Sequence, residues 1–560
     1  MPTADLVRNE ISEVNPDCIR FEQIPHASRL FLDFLARPAD SGSPIRTAVA
    51  RAGVEGLDRF FAPNSIAAIA EHARALNFDP QRRQAIADVL ERQNREWGAS
   101  GATLASIARL RAGAVAVVSG QQVGLFGGPL YSILKAAAAV QLAAELSSKG
   151  VDAVPLFWLA TEDHDLAEVN QVALPAADGR MEIVTAPVEA GANIPVGEVR
   201  FGAEIEPLVE RAAQLLGPEL SAMLKSSYRA GETFGSAFGR LFRQVFAGTG
   251  LILLQPLDKD VHAIAKPLLQ SAVQRAEELD RELLRRGREL QAAGYHEQVR
   301  VTGSSTLLFI LQNGERSVMQ IAGDDFLVRA QRLPRAEVLQ RLEEHPEQFS
   351  PNVLLRPVVQ DYLLPTVVYF GGPSEIAYFA QAAVVYQNLL GRVTPVLPRL
   401  SLTAVNGRLQ RLLRRYGLQL PDLFRGETHL RELLASRVLP AAVQEQFGQG
   451  SQTIDKLIAQ FAEPLRKLDP TLVDAAEKAG RKMHHQVERL AGKAARAELR
   501  KNQQLSREAA ELINGLFPAN TLQERIIPGI FLLGAHGMGL LERLVETAGN
   551  HCPGHQMLYL

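Results

Sequence analysis

The chain has 560 residues, 46% hydrophobic and 22% charged, enough to bury a large core and to divide into about two to four domains on the usual length relation. Its 60 Lys and Arg against 62 Asp and Glu leave a formal charge of -2, which argues against a nucleic-acid partner, though not against a local basic cleft. The N-terminus has no basic segment followed by an apolar one, and no run approaches the roughly 18 uncharged apolar residues that cross a bilayer. A cytoplasmic protein with no membrane partner is expected.

In chain order, the first hundred residues read as helices separated by Arg37-Pro38, by the Ser-Gly-Ser-Pro run at 41–44 and by Ala62-Pro63-Asn64, with residues 65–111 forming two helices over a core. From Ala114 the pattern changes to AVAVVSG, then a helix from Pro129 to Lys149, then VDAVPLFWLA from Val151. Strand, helix and strand with short connections make a right-handed crossover, and continuous apolar runs are the mark of buried parallel strands. This predicts a Rossmann-like α/β core. Residues 167–234 lose that rhythm, with short β-like runs around Asp178-Gly179 and an amphipathic helix near Leu208 to Leu224, and read as a mixed insertion.

The core resumes at Gly250 with LILLQPLD, and Asn313-Gly314 between LLFILQ and SVMQI signals a hairpin with a type I′ turn. Leu364 to Phe370 is another apolar strand, followed by Gly371-Gly372-Pro373 and a helix. Beyond Pro398 the chain is helical and charged, and Asp469-Pro470 reads as an N-cap with Pro in the first turn. Leu472, Ala476, Ala479, Met483, Val487, Leu490 and Ala494 then recur at spacings of three and four, close to the 11-residue period of a nearly straight coil. No strong stop precedes Asn514-Gly515, so a helix of about 45 residues, roughly 65 Å long, is expected to pair with another helix in the chain or in a second subunit. The resulting division is 1–166 (N-terminal helices and first part of the core), 167–249 (insertion), 250–400 (second part of the core with its hairpin), 401–516 (helical coiled coil) and 517–560 (a segment packing back on the core).

Two places at the ends of the core strands carry candidate chemistry, where α/β proteins bind ligands. The first is SGQQVGLFGGPLYSILK at 119–135, which lacks the GK[ST] of a P-loop and the spacing of GxGxxG. Its Ser119, Gly120, Gln121, Gln122, Gly127 and Gly128 are expected to offer loop amides and polar groups to an anion ahead of a helix. Tyr131 and Lys135 lie on one helix face and lean back toward that loop. The second is Glu162-Asp163-His164-Asp165, where crowded carboxylates and an imidazole shift one another's proton affinity or bind an amine or a metal.

The second Gly-Gly-Pro corner adds Gly371, Gly372, Glu375 and Tyr378, either as another wall of the same cleft or as an adjacent site. Arg356 and Asp361 are charges inside an apolar run and are expected to pair, with anion binding by Arg356 as the alternative. His296 and Arg399 complete the candidates. The two cysteines, Cys18 and Cys552, provide neither a disulfide framework nor a cysteine-rich zinc site. His551, Cys552 and His555 in the tail lack a fourth metal ligand, so no metal is assigned.

At SGQQVGLFGGPLYSILKA, VPLFWLATEDHDLAEVN, GYHEQV, FSPNVLLRPVVQDYLLPTVVYFGGPSEIAYFAQ and PVLPRLS, the chain resembles the bacillithiol-biosynthesis cysteine-adding family (BshC). The resemblance covers nearly the whole chain. It implies a Rossmann-like core similar to class I aminoacyl-tRNA synthetases, connective insertions and a coiled-coil domain that forms a homodimer. It further implies attachment of cysteine to the amino group of glucosaminyl-malate, with ATP expected as cosubstrate for a cysteinyl adenylate. On that basis Lys135 would serve phosphates, Asp163 and His164 the amine, and Arg356 or Arg399 the malate carboxylates. The HIGH and KMSKS-type signatures of the synthetases are missing. A nucleotidyltransferase or ligase for another acid and amine, and a non-catalytic nucleotide-responsive dimeric scaffold, remain alternatives.

Overall fold

A computed structural model describes residues 18–23, 30–31, 66–176, 180–188, 193–312, 315–437, 440–501, 503–550, 552 and 554–560. The predicted breaks at Arg37-Pro38, 41–44 and Ala62-Pro63-Asn64, and the turn residues Asp178-Gly179 and Asn313-Gly314, lie outside them. The chain divides into two compact units, one of residues 1–174, 182–402 and 527–556, the other of 175–181, 403–526 and 557–560. Among the described residues no helix is long and apolar enough to cross a membrane.

The first unit begins with a short strand β1 (Cys18–Ile19) and three helices, α1 (Ile66–Ala75), α2 (Pro80–Glu96) and α3 (Gly101–Ala112). Three helices replace the two expected over 65–111. The chain stops between α1 and α2 because the Asp79 side chain accepts the Arg82 amide at 2.6 Å and Pro80 occupies the first turn, an N-cap that the apolar pattern hides.

The core strands are β2 (Val115–Gln121), β3 (Ala153–Leu159), β6 (Ile252–Leu254), β12 (Thr366–Gly371) and β13 (Val396–Pro398), all parallel, in the order β13-β12-β2-β3-β6. Helix α4 (Leu130–Ser148) crosses from β2 to β3. Its Ala138, Ala139, Leu142, Ala143 and Leu146 pack on Val115, Val117, Val367, Val368 and Phe370, and each fully buried Val or Leu contributes about 1.5–3 kcal/mol. Residues 529–536 and 539–548 are further helices in this unit. Close seating on α4 requires a glycine at 529, because a Cβ there would lie 2.4 Å from Ile133 Cδ1.

Between β3 and β6 lie the hairpin β4 (Gln171–Pro175) and β5 (Met181–Thr185) and the helices α5 (Ile205–Ala213), α6 (Pro218–Ser227) and α7 (Phe234–Val245). The single amphipathic helix expected over 208–224 is broken because Pro218 starts a new helix after Gly217. After β6 come α8 (Lys259–Gln274) and α9 (Ala276–Ala292), then a second sheet of β7 (Ser305–Gln312), β8 (Glu315–Ala322), β9 (Asp325–Val328), β10 (Gln331–Leu333) and β11 (Phe349–Pro351), in the order β10-β9-β8-β7-β11. The β7 and β8 strands pair antiparallel from Gln312 and Glu315 outward. Helix α10 (Arg356–Leu363) precedes β12, and α11 (Pro373–Leu390) joins β12 to β13.

Cys18 and Cys552 form a disulfide, with Cα atoms 6.0 Å apart, a bond that the two-cysteine count did not anticipate. It forms because Cys18 and Ile19 pair with Gln556 and His555. Cys552 is therefore no metal ligand, and His555 is buried with Nδ1 2.8 Å from Ser401 Oγ. His551 lies outside the described residues.

The second unit is helical: α12 (Gly407–Tyr416), α13 (Glu427–Arg437), α14 (Ala441–Leu468), α15 (Thr471–Lys501) and α16 (Gln503–Leu516). Asp469 caps α15 through the Thr471 amide at 2.9 Å. The long helix finds its partners within the chain, packing against α14 and α13. At the α14 seam, Gly480 lets Ile458 approach where a Cβ would be 2.9 Å away, and His484 Nε2 meets Asp455 at 2.8 Å. Ala476 is buried, whereas Leu472, Met483 and Leu490 of the predicted stripe are exposed, Leu490 by 59%.

Candidate active site at the sheet crossover

The chain leaves β2 toward β3 on one side and β12 toward β13 on the other, so the direction of winding reverses between β2 and β12. Ligands of open α/β sheets bind outside the strand ends at such a point. Both Gly-Gly-Pro corners stand here. Phe370 pairs with Ser119, and Ser119 Oγ donates to Phe370 O at 2.9 Å, a fully buried tie between strands rather than a ligand contact.

The first corner is sealed. Gly120 abuts β3 so closely that a Cβ would sit 2.8 Å from Trp158 O. The Gly124, Gly127, Gly128 and Leu130 amides already donate to Gln122 O, Gly124 O, Leu125 O and Ile527 O. Gly127 N–H also reaches Tyr228 Oη at 3.2 Å, and Val123 through Gly128 are all buried. The expected anion cradle of loop amides at Gly127 and Gly128 is therefore corrected: protein acceptors occupy those donors.

Lys135 is likewise not a free phosphate ligand. It is 2% exposed, its ammonium donating to Gly120 O at 2.7 Å and Gln121 Oε1 at 2.9 Å and pairing with Glu375. Glu375 also accepts from Tyr369 Oη and the Gly372 amide, both at 2.7 Å. One ion pair thus clamps the two corners together. Arg399 joins this end: its amide donates to Gly371 O at 2.9 Å, its guanidinium to Leu400 O at 2.8 Å, and its charge lies 5.3 Å from the Tyr131 ring centre. Tyr131 Oη stands 3.4 Å from Gln121 Nε2.

The other end is built on the acidic turn. Asp163 accepts from His164 N–H at 2.9 Å and Gln122 Nε2 at 3.0 Å, with Arg356 4.0 Å away. Burial opposes its ionisation, but Arg356, Gln122, the His164 amide and Arg316 outweigh that and hold the carboxyl below the usual range. Asp163 is thus an ionised anchor and a weak base. Gln122 also reaches Glu168 at 2.8 Å. Tyr378 on α11 is partly buried; burial, then Glu375, push its phenol well above its ordinary value, with Arg356 opposing and Asp163 adding.

Several candidates take other roles. Glu162 is buried and faces His262 Nε2 at 3.4 Å, and Asp165 caps the single helical turn Leu166–Val169 through the Glu168 amide at 3.2 Å. His164 Nδ1 lies 3.1 Å from Arg316 Nη1. A guanidinium only donates, so Nδ1 is the acceptor of this bond. The exposed His296 places Nε2 on Gln298 at 2.9 Å, and among the described residues it shares no hydrogen bond with the cleft. The expected Arg356–Asp361 pair does not form, since Asp361 accepts from Gln360 at 3.1 Å and Tyr386 at 2.8 Å.

Sequence reasoning missed Arg316. It lies on β8, two residues past the predicted Asn-Gly turn, and reads there as a hairpin-tip charge. In the fold it is 5% exposed, stacked 3.9 Å from the centre of the Phe309 ring, and burial, then Arg356, lower its guanidinium to about 10.

A Rossmann-like sheet with charged groups gathered at its crossover, joined to a helical coiled-coil unit, defines an α/β protein with a candidate ligand site at its strand ends. The chain belongs to the BshC family of bacillithiol biosynthesis: residues 50–400 match its N-terminal Rossmann-like domain and residues 402–560 its C-terminal coiled-coil domain. Relatives named "Putative cysteine ligase BshC" include those of Koribacter versatilis, 45% identical over 97% of this chain and 99% of the relative, and Solibacter usitatus, 37% identical over 97% and 99%. The Geobacillus kaustophilus relative of the same name is 30% identical over 97% and 100%.

Proposed function

We propose that the chain is a cytoplasmic ligase that joins the carboxylate of L-cysteine to the amino group of glucosaminyl-malate, forming bacillithiol. The observation that carries this is the convergence of ionised Asp163, Glu375, Arg356 and the Tyr378 hydroxyl in one cleft at the sheet crossover, in a chain of the BshC family. Such a cleft offers the Asp163 carboxylate to an ammonium and the Arg356 guanidinium to a carboxylate, the groups that an acid and an amine bring to amide formation, while Glu375 stays paired with Lys135.

Amide formation from a free carboxylate is uphill in water, so the reading includes activation by ATP. The cysteine carboxylate attacks the α-phosphorus and releases pyrophosphate. The deprotonated sugar amine then attacks the acyl carbon, releasing AMP and a proton. Holding amine and acyl group together supplies much of the acceleration. Because the first corner's amides and Lys135 are engaged, phosphate contacts are assigned to the Arg399 end of the cleft.

The test incubates the full chain with cysteine, glucosaminyl-malate and ATP and follows bacillithiol and AMP by mass spectrometry. Product with stoichiometric AMP is expected; product without nucleotide consumption rejects the adenylate, and no product with any donor rejects the ligase. The same reading makes the chain a homodimer through its helical unit, supported by the exposed Leu457, Phe461, Leu472, Met483 and Leu490 on α14 and α15. Charged substitutions at Val487 and Leu490 are expected to lower the mass seen by light scattering; an unchanged dimer removes that face.

A further inference from the structure

Arg316 and Arg356 stand at one end of the cleft, and among the described residues neither guanidinium touches a carboxylate at hydrogen-bond distance. Arg316 spends its donors on neutral acceptors: Nε on Ser350 Oγ at 2.9 Å, Nη2 on Pro351 O at 2.8 Å and Nη1 on His164 Nδ1 at 3.1 Å. Arg356 is held less. Among the described residues its Nε is buried without a hydrogen-bond partner, and the nearest anion, Asp163, is 4.0 Å away.

The cause of that gap is visible. Asp163 is already satisfied by Gln122 and the His164 amide, and Arg316 in turn holds the His164 ring through Nδ1. Glu375, the other cleft carboxylate, is engaged by Lys135, Tyr369 and Gly372. Arg356 thus keeps an unused planar fork, and a buried guanidinium donor left unpaired is costly until an acceptor arrives. A carboxylate matches that fork in two parallel hydrogen bonds.

We propose that Arg356 is the carboxylate clamp of the cleft and that Arg316, delivered by the inserted β7–β8 hairpin, is a positioning residue that fixes His164, and through its amide Asp163, beside the Arg356 fork. The identity of the ligand rests on the ligase reading. Its carboxylate comes either from cysteine or from the malyl group of the sugar. The geometry of the clamp is common to both.

The test measures the KM of each substrate separately for the full chain and for Arg356→Gln, Arg316→Gln and Arg316→Lys, each checked for an unchanged melting transition. Loss of a charge-assisted pair is expected to raise one KM by about tenfold to a hundredfold in Arg356→Gln. Arg316→Gln should raise the same KM by a smaller factor, and Arg316→Lys, which keeps the charge, should recover most of it. A rise confined to cysteine assigns the amino-acid carboxylate. A rise confined to glucosaminyl-malate, and absent with a methyl glucosaminide acceptor lacking carboxylates, assigns the malyl group.

Equal rises for both substrates, or none, in folded variants overturn the clamp. Calorimetric titration with malate and with cysteine needs no turnover and separates the two claims. Binding lost in Arg356→Gln while wild type forms no amide upholds the clamp and rejects the ligase; amide formation with variant-independent KM and binding does the reverse. Failure of wild type to bind either probe overturns the clamp.

Discussion

The two Gly-Gly-Pro corners share one local grammar, strand, glycines, proline and helix, yet they do different things. The first is a packing device, its amides engaged and its glycines pressed against Trp158 and against each other, a Cβ on Gly124 meeting Gly128 Cα at 2.9 Å. The second is a presenting device, its Gly372 amide orienting Glu375, while Tyr378 follows one turn on. A motif's backbone conformation is legible from its residues; whether its donors are available depends on what the rest of the chain brings to them. Here Ile527 and Tyr228 close the first corner.

Breaking the clamp between the corners should have the largest effect. Lys135→Ala leaves the Glu375 charge without its buried partner, and such removals cost about 3–5 kcal/mol. A large fall in the melting temperature of the full chain is expected, whereas a phosphate-binding lysine would cost activity with the melt unchanged.

Asp163→Asn comes next. Removing an ionised acceptor from an ammonium costs about 1.5–3 kcal/mol, read as a roughly tenfold to hundredfold drop in kcat/KM for the amine. The folded carboxyl titrates below its unfolded value, so its contribution is complete above about pH 3.9 and is lost only as pH falls through the lower folded value. No limb of the pH profile between 5 and 8 should disappear in this variant. A limb that does would make Asp163 the base.

The third prediction sharpens the contrast between the corners. Gly120→Ala drives a methyl into Trp158 O and should cost about 1–3 kcal/mol of stability. At Gly372 the nearest atoms to a Cβ are Glu375 Oε2 at 3.3 Å and Arg399 Nε at 3.5 Å, so Gly372→Ala should be milder in the melt and harsher on substrate KM. Equal melts would erase the distinction.

Much of the frame was legible in the sequence. The apolar runs at 115–121, 153–159 and 366–371 are parallel strands because buried parallel strands need no polar alternation, and Asp469 caps the long helix as its chemistry requires. Helix breaks were less legible where an N-cap, Asp79 or Gly217, precedes a proline inside an apolar pattern. Within the site, the sequence named Asp163, Glu375, Tyr378 and Arg356, and the structure sets Arg356 4.0 Å from Asp163 and pairs Glu375 with Lys135. Lys135 was misjudged because four-residue spacing gives a face and not a partner. Arg316 was missed because a hairpin tip 152 residues from His164 carries no local sign of where it docks, and the Cys18–Cys552 bond spans 534 residues for the same reason.

The measurement that tests the single-cleft account most directly is a double-mutant cycle on amide formation between Asp163→Asn, beside the first corner, and Tyr378→Phe, on the helix of the second. Among the described residues no hydrogen bond joins these two, and the same cycle run on the melting transition removes the direct effect of Asp163 on Tyr378, so the coupling that remains reports a shared substrate. The account predicts a coupling of about 0.5–3 kcal/mol. Losses that simply add, to within about 0.5 kcal/mol, would mean that the two corners serve separate sites.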